Sequence, residues 1–349
     1  MSERSETALG QSDATSRCRQ VAAAMVAPGK GILAADESIG TMNKRLDKVG
    51  AAQTEENRRD YRELLVSTAG LSDGISGVIL CDETLRQRFA DGRGFPEALR
   101  ELGLLPGIKV DTGSKPCPGL PGEQVTEGLD NLPARLAEYA QMGAAFAKWR
   151  AVYTITSDLP TETGIRANAH ALARYAAACQ EAGIVPIVEP EVMMDGDHSI
   201  EKDAEVTSAV SAAVLAELAD FGVDFAGIVL KPNMVIEGTD HAERSSPKQV
   251  AEATAAGLRA LPDDLAGVAF LSGGQSPERA TANLAAMQAH QTRWPLTFSF
   301  GRALVDPALQ AWRGDSGKLP AAQDALAQRV AANAAAVRGE RTDQELHPV

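Results

Sequence analysis

The sequence lacks the features of several broad classes of binding protein. It has no basic excess: 34 Lys and Arg face 47 Asp and Glu, which gives a formal net charge of −13. A general nucleic-acid or anionic-membrane binder needs a basic face, so this balance disfavours both partners. No apolar stretch is long enough to span a bilayer, and the polar N-terminus lacks the charged-then-apolar layout of a secretory signal. We therefore expect a cytoplasmic protein.

Cysteine and histidine are scarce and are not arranged as a disulfide framework or a metal site. The four cysteines form no CxxC pattern and lie far apart, at Cys18, Cys81, Cys117 and Cys179. This spacing predicts free thiols in a reducing compartment. His198 stands beside Asp195 and Asp197, but the other histidines lack ligand-like spacing, and Gly196 is misplaced for an EF-hand loop. We expect no metal cofactor.

Short β-rich runs recur along the chain and alternate with alanine-rich segments of helical periodicity, such as Asp203 to Phe221 and Ser246 to Ala260. The eight runs are Gly31 to Ala35, Gly77 to Cys81, Gly107 to Val110, Ala145 to Trp149, Ile184 to Val188, Gly227 to Leu230, Gly267 to Leu271 and Leu296 to Phe300. This alternation predicts a parallel sheet. Continuous apolar runs indicate strands covered on both faces. The sequence thus predicts a single TIM (β/α)8 barrel, with an open doubly wound sheet as the alternative.

The predicted catalytic domain spans residues 17–339. Residues 1–16 are polar and predict a flexible N-terminal tail, and residues 340–349 predict a short C-terminal tail. The longest predicted loops are Thr112 to Gly128 and Met194 to Asp203. The segment Gly29 to Ala34 fits the dinucleotide pattern GxGxxA, but it overlaps a strand where that fingerprint must follow one, so we set it aside.

Lys231 ends the apolar run FAGIVL and is the strongest candidate for chemistry. An ammonium at the end of a buried strand loses hydration, which favours the neutral amine, a nucleophile toward carbonyl carbons. The competing interpretation is a lysine that snorkels to solvent. Other polar residues at predicted strand ends favour chemistry, because the carboxyl ends of barrel strands converge on one face. They are Asp36, Lys109, Lys148, Arg150, Glu189 and Glu191.

Two glycine turns follow the seventh and eighth predicted strands, where barrel enzymes commonly bind phosphate through backbone N–H groups. The first contains Ser272, Gly273 and Gly274, and the second contains Gly301 and Arg302. Lys109 and Ser38 lie on distant strand ends and would hold a second phosphate across the mouth. A bisphosphorylated substrate accounts for both positions.

These residues lie within long motifs that resemble class I fructose-1,6-bisphosphate aldolases over nearly the whole chain. The motifs include GKGILAADES, TEENRRDYRELL, GIKVD, FAKWR, GIVPIVEPE, LKPNMV, FLSGGQS and LTFSFGRAL. The resemblance implies reversible cleavage of fructose 1,6-bisphosphate into dihydroxyacetone phosphate and glyceraldehyde 3-phosphate, without a metal or other cofactor. It also implies a homo-oligomer.

The resemblance also implies the roles of the candidate residues. Lys231 is the Schiff-base lysine, Glu189 the general acid and base at the carbinolamine, and Lys148 its electrostatic and proton-transfer partner. Asp36 orients the C4 hydroxyl, and Glu191 and Arg150 belong to the same polar network. The implied C1-phosphate site comprises Ser272, Gly273 and Arg302, to which the two glycine turns add Gly274 and Gly301 as candidates. The implied C6-phosphate site comprises Ser38, Lys44, Arg45 and Lys109.

The chain departs from animal members of this family at its C-terminus. Those members end in a mobile tail with a terminal tyrosine, whereas this chain ends Leu346-His347-Pro348-Val349 and has no tyrosine beyond Tyr175. Another group or solvent is then expected to exchange the proton at C3. Phe300 also replaces a tyrosine of animal members. The alternatives are a Schiff-base aldolase for another phosphosugar and a barrel that senses sugar phosphate without cleaving it.

Overall fold

The computed structural model describes the backbone of residues 2–340 and the side chains of residues 13–340. Its strands are β1 Gly31–Ala35, β2 Ile75–Leu80, β3 Leu105–Lys109, β4 Gly113–Pro116, β5 Gln124–Glu127, β6 Phe146–Tyr153, β7 Val185–Val192, β8 Val229–Leu230, β9 Gly267–Phe270 and β10 Leu296–Phe300. Eight of them form a closed parallel barrel in the order β1-β10-β9-β8-β7-β6-β3-β2. This confirms the predicted TIM barrel and excludes the open sheet.

Helices surround the barrel and connect its strands. They are α1 Ser2–Met25, α2 Ile39–Lys48, α3 Glu55–Val66, α4 Leu71–Gly74, α5 Asp82–Arg86, α6 Phe95–Glu101, α7 Leu132–Met142, α8 Glu162–Glu181, α9 Ile200–Asp220, α10 Pro247–Leu258, α11 Pro277–Met287, α12 Arg302–Trp312 and α13 Leu319–Val337. The two helical segments predicted from periodicity correspond to α9 and α10. No helix in residues 2–340 is long and apolar enough to cross a membrane.

The inside of the barrel is filled near the starts of its strands. Phe146 from β6 occupies the space beside Gly107 of β3, where an added Cβ would lie 2.2 Å from the ring. Cys18 and Met25 of α1 belong to the same buried cluster as the inward residues of the strands. Helix α1 therefore covers the N-terminal end of the barrel, which leaves the C-terminal end for polar side chains.

Several boundaries differ from the sequence prediction. Strands β6 and β7 continue four residues beyond the predicted ends, because charged side chains that face the barrel mouth interrupt the apolar run but not the hydrogen-bonded ladder. The predicted loop Thr112 to Gly128 contains the antiparallel hairpin of β4 and β5. The loop predicted to extend to Asp203 ends earlier, where Ser199 caps α9.

The two predicted tails have different outcomes. Residues 1–16 were predicted to be flexible from their polar composition, whereas the backbone from Ser2 is part of the continuous helix α1. This segment contains no proline, and its alanine, glutamate and arginine residues are compatible with continuing a helix. Residues 341–349 lie outside the described residues, so the C-terminal tail stays a prediction.

Candidate active site

The C-terminal mouth of the barrel encloses a cavity of about 420 Å³. Most of the candidate residues line it. They are Asp36, Ser38, Arg45, Lys109, Lys148, Arg150, Glu189, Glu191, Lys231, Ser272, Gly273, Gly301 and Arg302. The convergence expected of strand ends in a closed barrel is therefore observed.

Strands β6 and β7 present their charged residues to this cavity in alternation. Lys148 and Arg150 on β6 line it, as do Glu189 and Glu191 on β7. Residues two apart in a strand share a face, so both pairs point inward. Arg150 is directly paired with Glu189 in the register of the two strands. This register places cations and carboxylates side by side.

Lys231 follows β8 directly and is buried. Its backbone N–H donates to the carbonyl oxygen of Val188 on β7 at 2.8 Å, so the residue remains attached to the sheet. Its Nζ lies 3.1 Å from Oε1 of Glu189. The snorkelling interpretation is wrong, because the ammonium lies inside the mouth beside a buried carboxylate.

Glu189 links two lysines within the mouth. Its Oε2 lies 3.3 Å from Nζ of Lys148, outside hydrogen-bonding geometry, and the same Nζ lies 2.7 Å from Oδ2 of Asp36. The result is a chain of alternating charges, Lys231–Glu189–Lys148–Asp36. A buried charge is costly unless it is paired, and each of these groups has an oppositely charged neighbour.

The pKa values in this chain reflect the competition between burial and pairing. Burial alone would raise the pKa of Glu189, but Lys148 and Lys231 outweigh it and hold that pKa below its usual value. The same balance lowers the pKa of Asp36. For Lys148, burial acts to lower the pKa, but Asp36 and Glu189 raise it above the ordinary lysine value. Glu189 and Lys148, the two middle groups of this series of charges, are therefore both charged at neutral pH.

Glu191 and Arg150 form a second ion pair beside the first group. The Arg150 Nε donates to Glu191 Oε2, and the Arg150 backbone N–H donates to Oδ2 of Asp111 at 3.3 Å. Asp111 is buried, and its Oδ1 lies 2.5 Å from Nζ of Lys109. Sequence reasoning missed Asp111. Its position two residues after Lys109 at a strand end was the signal that could have identified it.

The predicted C1-phosphate residues meet at one side of the mouth. Gly273 and Gly274 have positive φ angles of 55° and 87°, which glycine adopts without strain. A Cβ on Gly274 would lie 3.3 Å from Nη2 of Arg302, so this turn approaches the start of α12. Backbone N–H groups at a helix N-terminus favour an anion. Gly274 itself is exposed and is not among the residues that line the cavity.

The predicted C6-phosphate residues are only partly brought together. Ser38 caps α2, and both it and Lys109 line the cavity. Arg45 also lines it but is bound to Glu37 and Asp306. Lys44 is exposed and does not line the cavity, because consecutive helical residues point about 100° apart. Thr41 lines the cavity and was not predicted.

Among residues 2–340, no group of three or more His, Cys, Asp or Glu residues is arranged to hold a metal ion. His198 is buried, and its Nε2 lies 3.8 Å from Oδ2 of Asp203. Strand β1 begins at Gly31, inside the GxGxxA match, so that segment is not a strand followed by a phosphate-binding turn.

Comparison with known proteins agrees with this geometry. The family described as fructose-bisphosphate aldolase class-I matches residues 17–347. The chain is 52% identical to a probable fructose-bisphosphate aldolase class 1 of Xanthomonas campestris pv. campestris, covering 92% of this chain and 97% of that protein. It is 49% identical to a fructose-bisphosphate aldolase of Dictyostelium discoideum, covering 93% and 92% of the two chains.

A solved structure of fructose-bisphosphate aldolase from Plasmodium falciparum has the same fold. The TM-score is 0.93 at 43% sequence identity, and the match covers 95% of this chain and 96% of that chain. The chain belongs to the class I fructose-bisphosphate aldolase family, whose members cleave fructose 1,6-bisphosphate reversibly into dihydroxyacetone phosphate and glyceraldehyde 3-phosphate through a lysine Schiff base.

Proposed function

We propose that Lys231 is the lysine that forms the Schiff base with the C2 carbonyl of the sugar. The observation that carries this assignment is the buried chain Lys231–Glu189–Lys148–Asp36. Lys148 lies between two carboxylates that raise its pKa and keep it charged, whereas Lys231 is paired with Glu189 alone, which can accept its proton. Its amine attacks C2, the carbonyl oxygen takes up a proton, and loss of water leaves a protonated imine.

Glu189 serves as the general acid and base for these steps. One of its oxygens faces the reacting lysine and the other faces Lys148, so it can move a proton at the carbinolamine while Lys148 stabilises its charged form. Asp36 then accepts the proton of the C4 hydroxyl as the C3–C4 bond breaks. The electron pair of that bond moves into the protonated imine, which acts as the electron sink.

The two phosphates bind at opposite sides of the mouth. Ser272 and Gly273, with Arg302, take the C1 phosphate, and Ser38, Lys109 and Arg45 take the C6 phosphate. Glu191 positions Arg150 through their ion pair. A ketose with a phosphate at each end, bound in this way, presents the C2 carbonyl to Lys231 between the two phosphate sites.

A cleavage assay with four proteins tests this assignment. We expect the native protein to convert fructose 1,6-bisphosphate to triose phosphates, and Lys231→Met to reduce turnover to background. Lys248→Met is the matched control, because Lys248 is 84% exposed on α10. Glu189→Gln retains the shape of the carboxyl group and should lower kcat about 100-fold or more. Normal turnover by Lys231→Met would exclude the assignment.

We further propose that the protein is cytoplasmic and forms a homo-oligomer. The separated cysteines support a reducing compartment.

An exposed apolar side chain supports the assembly. Phe221, at the end of α9, is 40% exposed and packs edge-to-face on His170 of α8, so these two helices present an aromatic ring on their outer surface. Light scattering at micromolar concentration tests the assembly, and a monomer mass at all concentrations would contradict it.

A further inference from the structure

Arg45 is held between two carboxylates that come from distant parts of the chain. Its Nη2 lies 2.6 Å from Oδ1 of Asp306 on α12, and its Nη1 contacts Oε1 of Glu37, which precedes α2. The Arg45 side chain is 12% exposed and lines the mouth of the barrel. The residue proposed to take the second phosphate is therefore already paired.

These contacts remove the excess positive charge that a phosphate would need. Glu37 also binds Arg62, whose Nη2 lies 2.9 Å from Glu37 Oε2 and whose side chain is 1% exposed. The cluster Arg62–Glu37–Arg45–Asp306 thus contains two cations and two anions. A phosphate gains full charge-assisted binding to Arg45 only when one carboxylate moves away.

The two carboxylates are not equally easy to displace. Glu37 is 15% exposed and is bound on its other side by the buried Arg62. Asp306 is 47% exposed, so water can solvate it after it separates from Arg45. Exposed ion pairs contribute little to stability. Asp306 is therefore the carboxylate that can separate from Arg45 at the lower cost in free energy.

Asp306 contacts Arg45 of the second phosphate site and shares α12 with Arg302 of the first. It follows Arg302 by four residues on α12, so both lie on one face of that helix. We propose that Asp306 is a specificity-determining residue that competes with the second substrate phosphate for Arg45 and thereby weakens the preference for bisphosphorylated over monophosphorylated sugars. This inference rests on the proposed placement of the C6 phosphate at Arg45.

The test compares kcat/KM for fructose 1,6-bisphosphate and fructose 1-phosphate at fixed ionic strength. We expect Asp306→Asn, which keeps the side-chain shape, to raise kcat/KM for the bisphosphate about two- to fivefold, mainly through KM. The value for fructose 1-phosphate should not change, because that sugar has no second phosphate. Asp324→Asn controls for the loss of one negative charge, since Asp324 is exposed on α13 and lies outside the cavity.

Arg45→Gln separates this proposal from the one on which it rests. If Arg45→Gln lowers the preference for the bisphosphate while Asp306→Asn leaves it unchanged or lowers it, the inference about Asp306 is wrong and the phosphate placement stands. If Arg45→Gln leaves the preference unchanged, the placement itself is wrong. Inhibition of fructose 1-phosphate cleavage by inorganic phosphate gives a second readout, and we expect tighter inhibition of Asp306→Asn than of the native protein.

Discussion

Glu189 on β7 places its Oε1 3.1 Å from Nζ of Lys231, which directly follows the adjacent strand β8, and both side chains are buried. Such a pair is stable only if further charges balance it. Lys148 and Asp36 supply that balance. The amine of Lys231 is therefore set within a preorganised ionic environment, and in the proposed reaction no solvent has to reorganise around it when the imine forms.

Lys148→Met leaves two buried carboxylates without their shared cation. We expect the free energy of unfolding at pH 8 to fall by about 3–5 kcal/mol, because breaking a buried pair strands its partners. We also expect kcat to fall about 100-fold or more, since Lys148 stabilises the charged form of Glu189.

The destabilisation by Lys148→Met should depend on pH. In the native protein the pKa values of Asp36 and Glu189 lie below their ordinary values, so their stabilisation is complete above the unfolded pKa values and is lost only in acid. In the variant burial dominates and raises the pKa of both groups, so the folded state takes up protons as the pH falls. The difference in unfolding free energy between the native protein and Lys148→Met, measured by urea unfolding, should shrink from pH 8 to pH 5. A constant difference would contradict this account.

Gly107→Ala tests the packing inside the barrel. The new Cβ would lie 2.2 Å from the Phe146 ring, which is fixed between strands, so we expect a loss of at least about 3 kcal/mol in unfolding free energy. Gly257→Ala is the control, because Gly257 lies within α10 and has no heavy atom near its Cβ position. That substitution should stabilise the protein by about 0.5–1 kcal/mol, since alanine favours a helix. Equal effects would exclude the packing explanation.

Asp203→Asn probes the buried polar cluster near the mouth. Burial raises the pKa of Asp203, so the folded state binds its proton more tightly than the unfolded state and native stability falls as the pH rises through this window. Asparagine does not titrate. The variant should gain stability relative to the native protein between pH 4 and pH 8, as measured by urea unfolding in a His198→Asn background that removes the neighbouring histidine.

Asp203→Ala is the comparison variant. It removes the acceptor of Thr207 Oγ1 and Asn233 Nδ2, which lie 2.8 Å and 3.3 Å from Asp203 Oδ1. We expect it to be about 1–3 kcal/mol less stable than Asp203→Asn at every pH, because neither variant titrates at this position and alanine leaves the buried Thr207 hydroxyl without its acceptor. The prediction for Asp203→Asn is contradicted if its unfolding free energy differs from that of the protein with Asp203 by the same amount at every pH. The Asp203 carboxylate would then not titrate in this range.

Deletion of residues 340–349 tests whether the C-terminus takes part in catalysis. Since no tyrosine follows Tyr175, we expect turnover of both fructose 1,6-bisphosphate and fructose 1-phosphate to stay within about twofold of the native values. Such unchanged turnover would indicate that another group or solvent exchanges the proton at C3. A selective loss of one activity would indicate that the tail contributes despite its lack of tyrosine.

The sequence predicted the barrel because alternation of apolar strands and periodic helices is a local pattern. It also predicted that Lys231, Glu189 and Asp36 come together at the mouth of the barrel, because the strand ends of a closed barrel must meet. The exact strand ends were harder: Glu189 and Glu191 interrupt the apolar pattern of β7 but not its hydrogen bonds.

Contacts between distant side chains could not be predicted. Arg45 and Asp306 are 261 residues apart, and their ion pair depends on how α2 and α12 are oriented around the barrel. The exclusion of Lys44 from the cavity likewise depends on the rotation of α2. Such features follow from packing, and a single sequence contains no periodic signal for them.

The central claim is that the amine of Lys231 forms a covalent imine with the ketose. Borohydride reduction with dihydroxyacetone phosphate, followed by peptide mass spectrometry, tests it most directly. We predict a stable adduct on Lys231 in the native protein and in Lys248→Met, and no adduct in Lys231→Met. An adduct on a different lysine would contradict the account. So would cleavage that EDTA abolishes and that leaves no adduct on the protein.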